Sequence, residues 1–379
     1  MTQIRSIMAV MKWLAPAAVL LSTSVLAAQT RFVSLNESLV HGGRQLKGLV
    51  VLESGAGPVE KRYVLRTPAK WNGSLVIGAH GGGGGNNFDR SGKVIGTDET
   101  ALDDVIGRHA LAGGFIYASV DRDGAGGGRA GVSLTMEFLN AVRGEMSRRG
   151  FATPLRTYIV GLSAGGGIAR MAAEDMPTPF DGALLIAAAG GDLVTRLDRQ
   201  TRIAALWPLI DPRAHFGIPL TDPKMVAYAD ANGTPVEARR LWPYSGAGAV
   251  AAAARPITND HNSTAKPSIP VIEVAGTWDD LVIREVRAYA NRVEPKDRHR
   301  LYQVEGVWHM SGDDDGVMSF QYIAESRMKL DKDVADAMGE SPSYLPTVRE
   351  AFDHLVRWAE KGTAPPPSQT VKPGQQLRR

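Results

Sequence analysis

Residues 157–170 read Thr-Tyr-Ile-Val-Gly-Leu-Ser-Ala-Gly-Gly-Gly-Ile-Ala-Arg, and no other stretch restricts the fold as much. An apolar run stops at Gly161 and a helical pattern resumes after Gly165, so the chain passes from a buried strand through a sharp turn into a helix. Small residues two positions either side of Ser163 let strand and helix run close together, which forces the serine into a strained turn with its hydroxyl exposed. Ser163 is therefore the leading nucleophile candidate. In a chain with 42 glycines the spacing Gly-x-Ser-x-Gly arises easily by accident, so its surroundings decide its weight.

Those surroundings alternate short apolar runs with amphipathic segments. Residues 46–53 and 62–67 alternate as an antiparallel hairpin joined through 54–58. Residues 74–79 form a run suited to a strand buried on both faces, ending in His80-Gly81-Gly82-Gly83-Gly84-Gly85. Residues 115–120 repeat the format and end in Asp121-Arg122-Asp123-Gly124. A helical stretch at 99–111 lies between them, and 132–148 places Leu134, Phe138, Val142 and Met146 on one face of a helix. After a further strand at 181–189 the rhythm stops. From about 191 to 267 the chain is rich in Pro, Ala and Gly with scattered aromatics, and reads as an inserted cap. Strand, helix and strand return at 269–275, 282–293 and 299–304, and a last helix at 348–361 ends at Gly362. Residues 363–379, with Pro365-Pro366-Pro367, read as a disordered tail.

This alternation means an α/β chain with a mostly parallel central sheet and helices on both faces. At 379 residues, 44% of them hydrophobic, the chain can fill such a core. Residues 1–28 carry Arg5 and Lys12, an apolar core at 13–21 and then small residues, which is the pattern of a cleaved export signal too short to span a bilayer. The mature chain is therefore expected in the periplasm or outside the cell, without stable membrane insertion. Loss of Arg5 and Lys12 takes the formal charge from +3 to +1, too little to point to a nucleic-acid partner. No cysteine is present, which excludes disulfides, thiolate metal sites and a thiol nucleophile.

A serine hydroxyl attacks only when a neighbouring imidazole takes its proton. Of eight histidines, His309 stands just beyond the last core strand, on a loop with glycine on both sides. The imidazole in turn needs a carboxylate to fix its tautomer and offset its charge. Strand 269–275 runs into Gly276-Thr277-Trp278-Asp279-Asp280 and offers two; Asp279 is favoured, with one of the pair left to cap the helix beginning near Leu281. The negative oxygen of a tetrahedral intermediate calls for fixed donors, expected from the amide of Ala164 and from Gly82 or Gly83 in the loop after residue 79. That loop lacks the lysine and hydroxyl of a phosphate cradle. Asp313-Asp314-Asp315-Gly316 lacks the pattern of a calcium loop, and no metal or cofactor is expected.

Together the Gly161-Leu162-Ser163-Ala164-Gly165-Gly166 turn, the His80-Gly81-Gly82 loop, Asp279 and His309 resemble an α/β-hydrolase serine esterase. The order Ser163, Asp279, His309 is the one that fold uses. The resemblance covers roughly 45–362 and implies a catalytic domain at 29–362. Pro179-Phe180-Asp181-Gly182, Asp279-Asp280-Leu281-Val282 and the closing 358–365 resemble the tannase and feruloyl-esterase group, and the turn itself is similar to secreted polyhydroxyalkanoate depolymerases. Leu162 and Met310 stand where tannase-type enzymes carry cysteines. The implied activity is hydrolysis of a small or polymeric ester through an acyl-enzyme, with Trp207, Trp242, Tyr244 and His80 as the substrate-facing candidates. A peptidase or C–C hydrolase on the same residues, or a hydrolase-like binding module, are the alternatives. The oligomeric state has no sequence signal.

Overall fold

Short, continuous apolar runs have no polar face to give to water, so each has to lie in a sheet covered on both sides. A computed structural model describes residues 31–54, 57–81, 87–88, 94–96, 104–122, 128–191, 262–277, 279, 282–307 and 342–378. The strands are β1 (Arg31–Val40), β2 (Gly43–Ser54), β3 (Gly57–Pro68), β4 (Ser74–Ala79), β5 (Asn87–Phe88), β6 (Val94–Gly96), β7 (Ile116–Val120), β8 (Arg156–Leu162), β9 (Gly182–Ile186), β10 (Val271–Gly276), β11 (His299–Val304) and β12 (Gln369–Val371). The helices are α1 (Asp104–Ala112), α2 (Arg129–Arg148), α3 (Ala164–Glu174), α4 (Ile283–Arg292) and α5 (Leu345–Lys361), with a short 3-10 turn at Lys296–Arg298.

Ten strands make one sheet in the order β1-β2-β3-β7-β4-β8-β9-β10-β11-β12, and β5 pairs with β6 apart from it. The pairings β1–β2, β2–β3 and β3–β7 are antiparallel, and every pairing from β7 to β12 is parallel. From β4 the chain goes through α1 to β7 on one side, then through α2 to β8 on the other. Its direction across the sheet thus reverses beside β4, and it is outside the strand carboxyl ends at such a point that ligands sit. Ala79 lies opposite Gly161 in the register, so the chain leaves β4 and β8 side by side.

Side chains alternate between two cores, as the strand period of two requires. Leu75, Ile77 and Ile159 pack with Phe138 and Val142 of α2 and Ile168 of α3. Val76, Tyr158 and Val160 pack with Ile106 of α1 and with Phe352 and Leu355 of α5. Among the described residues, no helix is long and apolar enough to cross a membrane.

Two ends of the sheet differ from the sequence reading. The hairpin is longer than expected and gains an unanticipated outer strand, β1, whose polar Asn36, Glu37 and Ser38 are exposed at the edge. At the other end, the disordered tail expected over 363–379 is corrected. Tyr302 donates its hydroxyl hydrogen to Pro366 O at 2.8 Å, Leu301 N–H bonds Ser368 Oγ at 2.9 Å, and β12 then pairs in parallel with β11. Val371 and Leu377 are buried, so two apolar side chains and a short ladder suffice to order a proline-rich strap. The folded domain accordingly extends past residue 362.

Most of the expected cap falls in 192–261, outside the described residues, but both of its ends are described. Ser263 N–H bonds Gly191 O at 3.3 Å. The Glu174 carboxylate, at the end of α3, accepts from Ser263 Oγ (2.5 Å), Thr264 N–H (2.7 Å) and Ala265 N–H (3.2 Å). The chain therefore leaves the sheet and rejoins it at one place.

Candidate active site

Ser163 sits between β8 and α3 with φ +54° and ψ −118°, a conformation that non-glycine residues adopt only where their surroundings enforce it. Three backbone bonds do so here. Ser163 N–H donates to Ile186 O (2.8 Å), while its carbonyl accepts from Ala189 N–H (2.8 Å) and Gly167 N–H (3.2 Å). Close passage is the other requirement. A Cβ on Gly161 would fall 2.1 Å from Gly165 O, and one on Gly165 would fall 1.8 Å from Ala79 O. The two glycines of the motif are there because strand, helix and neighbouring strand touch through bare backbone.

The loop after β4 lies directly against the serine, since a Cβ on Gly81 would be 2.9 Å from Ser163 Cβ. Ala164 is the first residue of α3, and first-turn amides of a helix have no intrahelical acceptor. Ala164 thus follows the serine directly with such a first-turn amide, and the start of the glycine loop packs against the serine Cβ. Gly82 and Gly83 lie outside the described residues.

His80 is corrected as a substrate-facing residue. Its side chain is 0% exposed and bonded to backbone at both ring nitrogens. Arg122 N–H reaches Nε2 at 2.9 Å, and Nδ1 is 2.9 Å from Gly81 O. An amide can only donate, so Nε2 accepts and Nδ1 carries the hydrogen given to Gly81 O. The Arg122 guanidinium donates to His80 O, and Asp121 Oδ1 stands 3.6 Å from Nε2. His80 is thus the buried support of the glycine loop. A histidine at the head of a glycine-rich loop looks functional in sequence; the pointer to a structural role was Asp121-Arg122 following the adjacent strand.

Asp279 is 1% exposed, three residues beyond β10. Its Oδ1 accepts Val282 N–H at 3.2 Å, and its carbonyl accepts Ile283 N–H at 2.9 Å. The helix-entry bond expected from one aspartate of the pair is therefore made by Asp279 itself; Asp280 lies outside the described residues. Tyr344, at the start of α5, is buried nearby. Burial pushes its phenol far above the usual range, and the negative charge of Asp279 adds to the effect. His309 is outside the described residues, as are Trp207, Trp242 and Tyr244. The chain leading to His309 is described as far as Val307, which is fully buried.

A buried ion pair missed in the sequence links the two arms of the site. Arg170, two turns along α3 from Ser163, donates to Glu273 Oε1 of β10 at 2.8 Å and to Gly190 O, with its guanidinium 4.2 Å above the Tyr289 ring. Burial opposes the charge on Arg170, but Glu273 and its acidic neighbours outweigh it and hold its pKa above the usual value. The signals for this in sequence were Arg170 in a largely apolar helix and Glu273 in an otherwise apolar strand.

The model of a family described as "Alpha/beta hydrolase domain" matches residues 152–376. The chain belongs to this family. The match begins just before β8 and runs through β12, so it takes in Ser163, Asp279 and position 309. Of the solved structures, an esterase from Aspergillus oryzae is 16% identical, covering 85% of this chain and 81% of its own with a TM-score of 0.50, and so shares the fold. An esterase from Pyrobaculum calidifontis (20% identical, 77% and 84% covered, TM-score 0.42) and one from Mycobacterium marinum (19%, 81% and 82%, 0.45) are also similar. No curated protein matches the chain.

Proposed function

We propose that this α/β hydrolase is an exported serine esterase that works through an acyl-enzyme, with Ser163 as nucleophile, His309 as base and then acid, and Asp279 as the carboxylate that orients the imidazole. The observation that carries the reading is the strained φ of +54° at Ser163, held by three backbone bonds at the shared carboxyl ends of β4 and β8 and pressed against Gly81. Strain of about 1–3 kcal/mol persists where the surrounding structure over-determines it, as the three bonds do here; Ala187 and Ala265 also have positive φ, but Ser163 alone of the three carries a hydroxyl suited to acyl transfer.

In this mechanism the Ser163 hydroxyl loses its proton to His309 as it attacks the ester carbonyl. The negative oxygen is met by the amides of Ala164 and of Gly82 or Gly83, each such donor contributing about 10²- to 10³-fold to turnover. Collapse expels the alcohol with the proton from His309, and water then repeats the sequence on the acyl-serine. Asp279, buried and acting through His309, stabilises the imidazolium.

Esters of aromatic acids or hydroxy acids are the proposed substrates. The motifs shared with tannase-type and polyhydroxyalkanoate-degrading enzymes support this, as do the aromatic residues Trp207, Trp242 and Tyr244 between the two ends of the insertion. The charged, apolar and small-residue succession of residues 1–28 supports export.

Ser163→Ala is expected to fold as the parent does, to lose labelling by a fluorophosphonate, and to lose ester turnover by about 10⁴- to 10⁶-fold. A folded Ser163→Ala protein with near-parental turnover removes the nucleophile from this turn. A panel of p-nitrophenyl acyl esters, methyl ferulate, methyl gallate, hydroxybutyrate oligomers and peptides separates the ester classes from one another and from peptidase chemistry.

A further inference from the structure

Loops that leave the ends of neighbouring parallel strands ordinarily lose each other, because the ladder that coupled the strands has stopped. Here β10 and β11 pair in register up to Gly276 opposite Val304. Asp279 follows three residues beyond one strand end, and His309 five beyond the other. In the reading above these two must meet within hydrogen-bond distance.

One side chain carries the coupling past the end of the ladder. Thr277 N–H donates to Val304 O at 2.9 Å, and Thr277 Oγ1 accepts Gly306 N–H at 3.0 Å. Gly306 has φ +70°, the left-handed turn at which the chain swings away from β11. Between those two bonds, Glu305 N–H is held from the opposite side by Val371 O of β12 at 2.9 Å. Residues 304–306 are thus gripped from both flanks, and on the β10 side both contacts come from Thr277. The methyl group beside Oγ1 restricts its rotamers, so the oxygen is held in place as a fixed acceptor.

We infer that Thr277 is a positioning residue, which locks the loop bearing Asp279 to the loop bearing His309. This rests on the assignment of those two residues proposed above. Asp279 stands two residues beyond Thr277 and His309 three beyond Gly306, so little chain is available to absorb an error at the Thr277–Gly306 bond. A purely structural role would be to satisfy one amide at a turn, and its loss would then register in stability alone.

The test uses the full chain with Thr277→Val, which keeps the shape but removes the acceptor, and Thr277→Ser, which keeps the acceptor. The valine variant is expected to lose about 10- to 100-fold in kcat on p-nitrophenyl acetate, the scale of a misplacement near 1 Å, with KM changed by less than about threefold. The acid limb of its kcat/KM profile moves to lower pH, because an imidazole with weaker carboxylate support is easier to deprotonate. The serine variant stays within about threefold of the parent. Where the valine variant folds poorly, Thr277→Ala, which lets water reach the Gly306 amide, is expected to give the same kcat loss and pH shift. Parental kcat and pH profile in a folded valine or alanine variant overturn the inference, as does a loss in all variants that simply follows Tm. Asp279→Asn run alongside keeps the two readings apart: inactive Asp279→Asn with parental Thr277→Val overturns the role of Thr277 only, whereas fully active Asp279→Asn overturns the triad assignment beneath it.

Discussion

Adding a single methyl group at residue 165 tests whether the site depends on backbone touching backbone. In Gly165→Ala the new Cβ would lie 1.8 Å from Ala79 O and 2.6 Å from His80 O, where real contacts of this kind do not fall below 3.0 Å. The start of α3 and the end of β4 therefore have to part by roughly 1.2 Å along the shorter contact. Neither obstacle is a side chain that can rotate away, and β4 is held in the middle of the sheet by β7 and β8. Overpacking of this kind costs about 1–3 kcal/mol and occasionally more. The parting also moves the Ser163 turn away from the His80–Gly81 loop, so the two sides of the proposed oxyanion site lose their spacing. A displacement of that size is expected to lower kcat/KM on a small ester by about 10²-fold. Gly144→Ala is the control, since nothing lies within 4 Å of a Cβ there. Inside α2 the exchange is expected to raise stability by up to about 1 kcal/mol and to leave turnover alone. Thermal denaturation and p-nitrophenyl acetate hydrolysis on both variants decide the matter. A Gly165→Ala protein with parental Tm and turnover within twofold would refute the close-passage argument.

Asp279→Asn retains an oxygen for the Val282 amide, so it is expected to keep the parental Tm while kcat falls by about 10⁴-fold, because an amide cannot hold the imidazole in the required tautomer. Asp280→Asn is expected to cost little activity and at most about 1 kcal/mol of stability; an inactive Asp280→Asn beside an active Asp279→Asn moves the acid one residue along. For export, mass spectrometry of the mature protein is expected to find an N-terminus at Ala28 or Gln29, and an uncut chain in the membrane fraction refutes the cleaved signal.

Legibility in the sequence followed how each element is stabilised. The strands buried along most of their length, β4, β7, β8, β9 and β10, announced themselves as largely apolar runs and fell within a few residues of expectation, because burial narrows the choice of residue type. The edges did not. β1 has only one neighbour in the sheet and tolerates Ser34, Asn36, Glu37 and Ser38, so its pattern is diluted. β12 needs only three paired residues and the burial of Val371 and Leu377, a signal too small to stand out among prolines and glutamines. At the site, the Gly-x-Ser-x-Gly spacing identified the turn because sterics dictate its residue types. His80 and Thr277 each accept, through a side-chain atom, a backbone N–H far away in sequence, that of Arg122 and of Gly306, and no spacing rule encodes such a partner. That Asp279 itself makes the helix-entry bond to Val282 N–H was likewise hidden, since two adjacent aspartates offer the same cap in sequence.

The junction of Gly191 with Ser263 bears on how such a chain changes over generations. Because the two ends of the intervening segment already meet, and Glu174 fastens the returning end to α3, the sheet experiences that segment as a loop of fixed base. Residues can be added, deleted or exchanged there while the same two gateposts stay in place, and neither Ser163 nor Asp279 has to move. One folded body can in this way carry a succession of different segments between the same two ends, each tried at little risk to the fold.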